Sequence, residues 1–169
     1  MIATRFHVWK SKYGWIAAAA SSKGITQMSM PEPDRDEAED VIFPAQLECD
    51  HDPDWFAEIC VAIDDYLDGV RDALVDLPTD FSDAPPFTAA MWDACRTIPW
   101  GETRSYSWLA AEVGRPGAPR AAGQAMARNR VPLLVPCHRV IRADGSLGGY
   151  GGGRQGLELK RKLLALEAD

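Results

Sequence analysis

The sequence predicts an α+β protein in two parts, an antiparallel sheet with a helix over residues 1–84 and a helical region over residues 85–169. Short apolar segments separated by Lys, Ser and Gly fill the first thirty residues, and apolar residues recur at helical spacing from Trp55 onwards. Between the two parts, Pro78, Pro85 and Pro86 interrupt the chain. The 169 residues are 46% hydrophobic and 25% charged, which excludes a disordered chain and is enough to bury a core without disulfide staples. No apolar run is long enough to span a bilayer, and the N-terminus lacks a basic start and long apolar stretch, so a cytoplasmic protein with no membrane partner is expected.

The first third reads as a meander of Phe6-His7-Val8-Trp9, Gly14 to Ala20 and Gly24 to Met30. Met30 to Asp40, acidic and broken by Pro31 and Pro33, is expected to be a solvated loop. Trp55, Ile59, Ala62, Ile63, Tyr66 and Leu67 then share one helical face, with Asp52 as N-cap, Pro53 in the first turn and Gly69 as a stop. Its aromatics are assigned to core, and residues 70–86 to a connector. Phe87, Met91, Cys95 and Ile98 mark the next helix, up to Pro99. Ser105 can cap a short helix running through Val113 and closed by Gly114; a second runs from Pro119 to about Asn129. Two short helices joined by Arg115-Pro116-Gly117-Ala118 form a helix-turn-helix candidate, with an ordinary helical hairpin as the alternative. Ala121, Ala122, Gly123, Ala125 and Ala127 make the second helix narrow, with few side chains able to read base edges. Such a helix suits close approach to a DNA backbone or minor groove without sequence preference, or tight interior packing.

The net charge of −7 conceals a division. Residues 1–95 hold 6 Lys and Arg against 19 Asp and Glu, whereas residues 96–169 hold 12 against 6. A basic interaction surface beside an acidic region is one reading, and two solvated faces the other. Four cysteines without tight spacing suggest neither a disulfide framework nor a zinc knuckle. Cys49, His51 and Cys60 match no zinc pattern, so no metal is expected.

The chemistry concentrates in Val131-Pro132-Leu133-Leu134-Val135-Pro136-Cys137-His138-Arg139-Val140-Ile141. There an apolar run between prolines delivers a cysteine directly followed by a histidine. Ala143-Asp144-Gly145-Ser146 supplies a turn, and Leu147 to Gly153 is a glycine-rich loop carrying Tyr150. A Cys-His pair alone is weak evidence, since free cysteine is commonly inert packing.

Taken with Ile98-Pro-Trp-Gly-Glu-Thr-Arg-Ser-Tyr106, Arg120-Ala-Ala-Gly-Gln-Ala-Met126-Ala-Arg-Asn129 and Gly149-Tyr150, that segment resembles the O6-alkylguanine-DNA alkyltransferases, or methylated-DNA–protein-cysteine methyltransferases. The resemblance runs from about Phe87 to Glu167; the N-terminal region matches only in character, as the family's acidic, ribonuclease-H-like small domain. It implies a monomeric repair protein that binds double-stranded DNA from the minor groove without sequence specificity, extrudes O6-alkylguanine and moves the alkyl group irreversibly to Cys137 without a cofactor. By the same resemblance His138 takes the thiol proton through a water, Glu167 orients His138, and Asn129 braces the turn before the cysteine.

Arg120 corresponds to the arginine that replaces the extruded base in the stack, on a helix whose Ala121 and Gly123 lie close to DNA. Tyr106 corresponds to the tyrosine that rotates the nucleotide and hydrogen-bonds the guanine. Met126 and Pro132 are expected as pocket walls, the carbonyls of Cys137 and Val140 as acceptors for the guanine amine, and Tyr150 as a flat lid. Gly151 stands where some relatives have serine, leaving only its backbone N–H for O6, and Gln124 departs from a small residue. Three alternatives are a damage-binding module, a Cys-His hydrolase and a methylation-sensing regulator. Cys137 argues against the first; no oxyanion site or distant histidine is apparent for the second, and the chain has no room for the added domains of the third.

Overall fold

Arg5–Ser11 (β1) and Gly14–Ala20 (β2) form an antiparallel hairpin in which Val8 opposes Ala17 and Trp9 opposes Ile16. Ile16 to Ala20 are fully buried, the continuous apolar run of a strand covered on both faces. Ile25–Met28 (β3) pairs antiparallel with β2 and Asp50–His51 (β4) parallel with β1, giving the order β3-β2-β1-β4. The computed structural model describes residues 3–43, 49–150 and 153–168.

The acidic stretch expected as a loop is largely a helix, Arg35–Ile42 (α1). The prolines precede it rather than interrupt it. Asp34 caps it by accepting from the Glu37 amide at 2.9 Å, Arg35 pairs with Glu39 one turn on, and Ala38 and Ile42 turn inward onto Val8, Ala17 and Ala19. The low apolar content hid two inward positions four residues apart.

Pro53–Leu67 (α2) begins at the expected cap, where Asp52 accepts from the Trp55 amide. Phe56, which the helical spacing from Trp55 leaves off the inward face, is fully buried and meets the ring of Trp9, while Trp55 is only half-buried. Side chains alternate along β1, so Val8 faces α1 and Trp9 faces α2, one helix on each side of the sheet.

Residues 1–83 and 130–134 form one compact unit, and residues 84–129 with 135–169 the other. The short segment joins the first unit because the Arg130 carbonyl accepts from the Met28 amide at 2.7 Å and its guanidinium grips Asp83 at 2.8 and 3.1 Å. A division at residue 84 gives no hint of this excursion.

The second unit holds Pro86–Arg96 (α3), Tyr106–Glu112 (α4), Pro119–Ala127 (α5) and Gly153–Glu167 (α6). Arg104–Ser105 (β5) runs parallel to Val140–Ile141 (β6). Trp92 on α3 donates to the Ala125 carbonyl of α5 at 2.9 Å. The described residues include no helix long and apolar enough to cross a membrane.

Candidate active site

The chain turns at Leu133-Leu134, where Leu133 adopts the left-handed φ of +70°, and after Pro136 it tightens into a single 3-10 turn, Cys137–Arg139. The Arg139 amide donates to the Pro136 carbonyl at 2.9 Å and the Val140 amide to the Cys137 carbonyl. The turn faces Cys137 and His138 inward; the cysteine is 7% exposed and the histidine 0%.

Asn129 follows the last turn of α5. Its Nδ2 donates to the Val135 carbonyl at 2.9 Å and to Cys137 Sγ at 3.1 Å, so one amide ties the segment leading into the turn and touches the sulfur. Burial pushes the Cys137 thiol above its ordinary pKa. The Asn129 bond, the Tyr150 hydroxyl and the Lys160 charge act against burial, in that order, by favouring the thiolate.

His138 Nε2 lies 2.7 Å from Glu167 Oε1. The glutamate is held by Arg139, whose Nε donates to Oε2 and whose second terminal nitrogen donates to Oε1, both at 2.9 Å; the other donates to the Ile98 carbonyl at 2.6 Å. Gly101 makes room for this end of α6: at φ +76° it adopts the left-handed conformation, and a Cβ there would stand 2.9 Å from the Glu167 carbonyl. Burial lowers the His138 pKa; the Glu167 bond and charge oppose that, and the charges of Arg139 and Lys160 reinforce it. The imidazole is therefore neutral near pH 7, with Nε2–H donating to Glu167 and Nδ1 as its basic nitrogen.

Two residues outside the expected set belong to this cluster. Arg139 is one. The other is Lys160, fully buried, whose ammonium donates to the carbonyls of Val140 at 2.8 Å, Leu147 at 2.6 Å and Gly149 at 3.4 Å. Desolvation brings its pKa down to about 8, and its Nζ lies 5.7 Å from the centre of the Tyr150 ring. The readable signal is spacing: Gly156, Lys160, Leu163 and Glu167 fall on one face of α6 and are all buried, so two charged residues share the inward stripe.

The remaining expected residues are distributed as follows. Tyr106 opens α4 directly after β5, half-buried, with its hydroxyl against Gly148, where a Cβ would come within 3.1 Å of it. Burial raises the Tyr106 pKa. Arg120 is exposed in the first turn of α5; Ala121 and Gly123 are half-buried, and Gly123 faces the Tyr106 ring. Met126 is buried at the end of α5 and Tyr150 is half-buried. Pro132 is buried within the 130–134 segment, which belongs to the other unit. Gly151 lies outside the described residues. The two carbonyls expected as acceptors each carry one bond already: that of Cys137 accepts from the Val140 amide and that of Val140 from Lys160, leaving one lone pair on each for a further donor.

Residues 86–169 match the domain described as 6-O-methylguanine DNA methyltransferase, DNA binding domain. The structure superposes on a Mycobacterium tuberculosis OGT solved in complex with DNA with a TM-score of 0.81 and 34% identity, over 98% of this chain and 93% of that one. The chain belongs to the methylated-DNA–protein-cysteine methyltransferase family. Family members named methylated-DNA--protein-cysteine methyltransferase include one from Mycobacterium leprae, 45% identical over 115 residues, and one from Mycolicibacterium paratuberculosis, 54% identical over 81. Those matched stretches cover 68% and 48% of this chain, and 65% and 47% of the two methyltransferases. An N-terminal sheet unit and a helical unit match the α+β organisation of the family's OGT structures.

Proposed function

We propose that the protein repairs O6-alkylguanine in double-stranded DNA by transferring the alkyl group to Cys137, once per molecule. The observation that carries the reading is the line of Asn129, Cys137, His138 and Glu167, the last three buried: a nucleophile with a donor on its sulfur, next to a neutral base whose far nitrogen is fixed by a carboxylate.

The alkyl carbon of the lesion lies within the base stack, so the nucleotide must be rotated out, at a cost of a few kcal/mol. The exposed Arg120 is the group that fills the gap, since a planar guanidinium stacks between bases. The pair α4 and α5 acts as the helix-turn-helix, and Ala121 and Gly123 allow α5 to approach the minor groove without reading bases. The 12 basic residues after residue 95 supply attraction to phosphates, and the acidic N-terminal unit is the ribonuclease-H-like small domain.

Tyr106 contacts the rotated nucleotide, Met126 and Pro132 wall the base, Tyr150 covers it, and the backbone N–H of Gly151 serves O6. The remaining lone pairs of the Cys137 and Val140 carbonyls accept from the guanine amine. His138 receives the thiol proton through a water, the sulfur attacks the alkyl carbon as the C–O6 bond breaks, and the guanine leaves with a proton restored to its ring. The balance is one thiol and one alkylguanine giving one thioether and one guanine. No step returns the thiol, and the displacement calls for no cofactor or metal. The active species is a monomer in the cytoplasm.

The test is the intact mass of the protein after mixing with excess duplex carrying one O6-methylguanine, followed by peptide mapping. One added methyl located on Cys137, absent in Cys137→Ser although that variant still binds the lesion duplex, is the expected result. Binding without added mass would make the protein a damage-recognition module.

A further inference from the structure

The proton acceptor in this site must be an uncharged imidazole, yet it sits on a buried carboxylate, an arrangement that ordinarily draws a proton onto histidine. Something has to satisfy the carboxylate first. Arg139 is placed for that: its guanidinium spans both oxygens of Glu167 and shares Oε1 with His138, while its third contact, to the Ile98 carbonyl, keeps the fork from turning away. A bidentate pair is the stronger claim on a carboxylate than a single imidazole N–H.

Resting on the alkyl-transfer reading, we propose that Arg139 is a positioning residue for the reaction: it neutralises Glu167, so that the glutamate orients His138 without charging it, and Nδ1 stays basic toward the Cys137 proton. The charges around His138 agree. Glu167 and Lys160 face it from α6, and Arg139 and Cys137 flank it on its own turn; Cys95 of α3 is coupled to the same Cys137, Arg139 and Lys160 charges. Glu167 is the anion of this set until the thiolate forms, and Arg139 grips it with two nitrogens. Without Arg139 the nearest proton carrier able to balance the carboxylate is His138 itself.

The experiment follows two readouts in wild type, Arg139→Gln and Arg139→Lys. One is single-turnover methyl transfer from duplex O6-methylguanine between about pH 5.5 and 9.5; the other is the His138 imidazole titration by NMR without DNA. Arg139→Gln is expected to lose about tenfold or more in rate near neutral pH and to recover most of it at the alkaline end. Its His138 is expected to titrate at higher pH than in wild type, a tenfold loss of rate at neutral pH corresponding to a midpoint about one pH unit above neutral. Arg139→Lys, which keeps the charge without the fork, is expected to fall between the two. A uniform loss at every pH with the His138 titration unmoved would overturn the inference, and so would a wild-type profile in Arg139→Gln. If Arg139→Gln does not fold, a His138 that titrates at higher pH in Arg139→Lys than in wild type supports the inference, whereas an unmoved titration, or a His138 already protonated at neutral pH in wild type, overturns it. Should wild type transfer nothing, the alkyl-transfer reading fails while the NMR titration still decides the role of Arg139.

Discussion

Replacing Asn129 by alanine removes one side-chain amide and, with it, two bonds of different kinds. The first, at 2.9 Å, satisfies the carbonyl of Val135, a fully buried residue. That carbonyl also accepts from the Cys137 amide at 2.7 Å, so what is lost is one hydrogen bond, about 0.5–1.5 kcal/mol, or roughly 1–6 °C in melting temperature for a chain of this size. The second, at 3.1 Å, is the foremost influence holding the Cys137 thiol pKa down against burial, so its loss moves that pKa further up. A bond to a charged acceptor is worth about 1.5–3 kcal/mol, and sulfur is a weak acceptor, so the lower end applies: the thiolate population at neutral pH falls about tenfold. The assay needs no DNA. Iodoacetamide reacts with thiolate, and its rate at Cys137, followed by peptide mass from neutral to alkaline pH, reads the ionisation directly. Asn129→Ala is expected to react about tenfold more slowly near neutral pH and to converge with wild type in alkali. Asn129→Asp, which sets a carboxylate beside the sulfur, should be slower still. Equal rates and equal pH profiles for Asn129→Ala and wild type would refute the idea that this amide stabilises the thiolate.

Two further outcomes are expected. Arg120→Ala should slow methyl transfer from duplex DNA by about tenfold or more, while transfer from the free O6-benzylguanine base changes little, because only the duplex requires a stack to be filled; single-turnover rates on both substrates check this, and equal losses would count against a stacking role. Asp80, buried and accepting from the Ser21 hydroxyl at 2.5 Å, has its carboxyl pKa drawn down to about 2, so its stabilisation is present above its unfolded value near 4 and is lost as pH falls through 2; Asp80→Asn should cost about 2 kcal/mol at pH 7 and progressively less on acidification, read from denaturant midpoints.

Much of the site can be named from residues because its chemistry is local in sequence. Cys137, His138 and Val140 are neighbours, and a proline directly precedes the tight turn that carries them. Glu167, 29 positions beyond His138, is reached only through family resemblance, since a glutamate near a helix end carries no mark of burial. Arg139 stands in the motif without a role of its own, because nothing in a linear motif shows that its guanidinium returns to a carboxylate 28 positions ahead. Lys160 is invisible for a different reason. In Lys160-Arg161-Lys162 all three residues look alike, and only the 3.6-residue period against Leu163 and Glu167 separates the buried one from its two exposed neighbours.

The same contrast holds for the fold. α2 is legible because its inward face is apolar throughout and both ends carry strong signals, Asp52-Pro53 and Gly69. α1 is not: most of its eight residues are charged, and tertiary contact with β1 and β2, rather than composition, makes the segment helical. The excursion of residues 130–134 into the first unit depends on Arg130 meeting Asp83, a pairing across 47 residues that no local pattern encodes.

Burial at this site works in two directions at once, and the proposed single-use reaction explains why both are tolerable. Keeping Cys137 7% exposed and its thiol protonated makes the sulfur a poor nucleophile toward stray electrophiles in water. A protein that cannot regenerate its thiol loses a whole molecule to each such event, so a fully ionised, exposed cysteine would be the worse design. Activation must instead wait for the target. An extruded guanine excludes water from a site where Asn129, Lys160 and a neutral His138 are already fixed, and fixed groups act more strongly on a developing thiolate in a dry cavity than in an open one. On this view the surroundings of the sulfur, Arg139 included, are arranged to hold the proton in place until the alkyl carbon arrives, and the rate gained on lesion DNA over a soluble alkylating agent measures how well they do it.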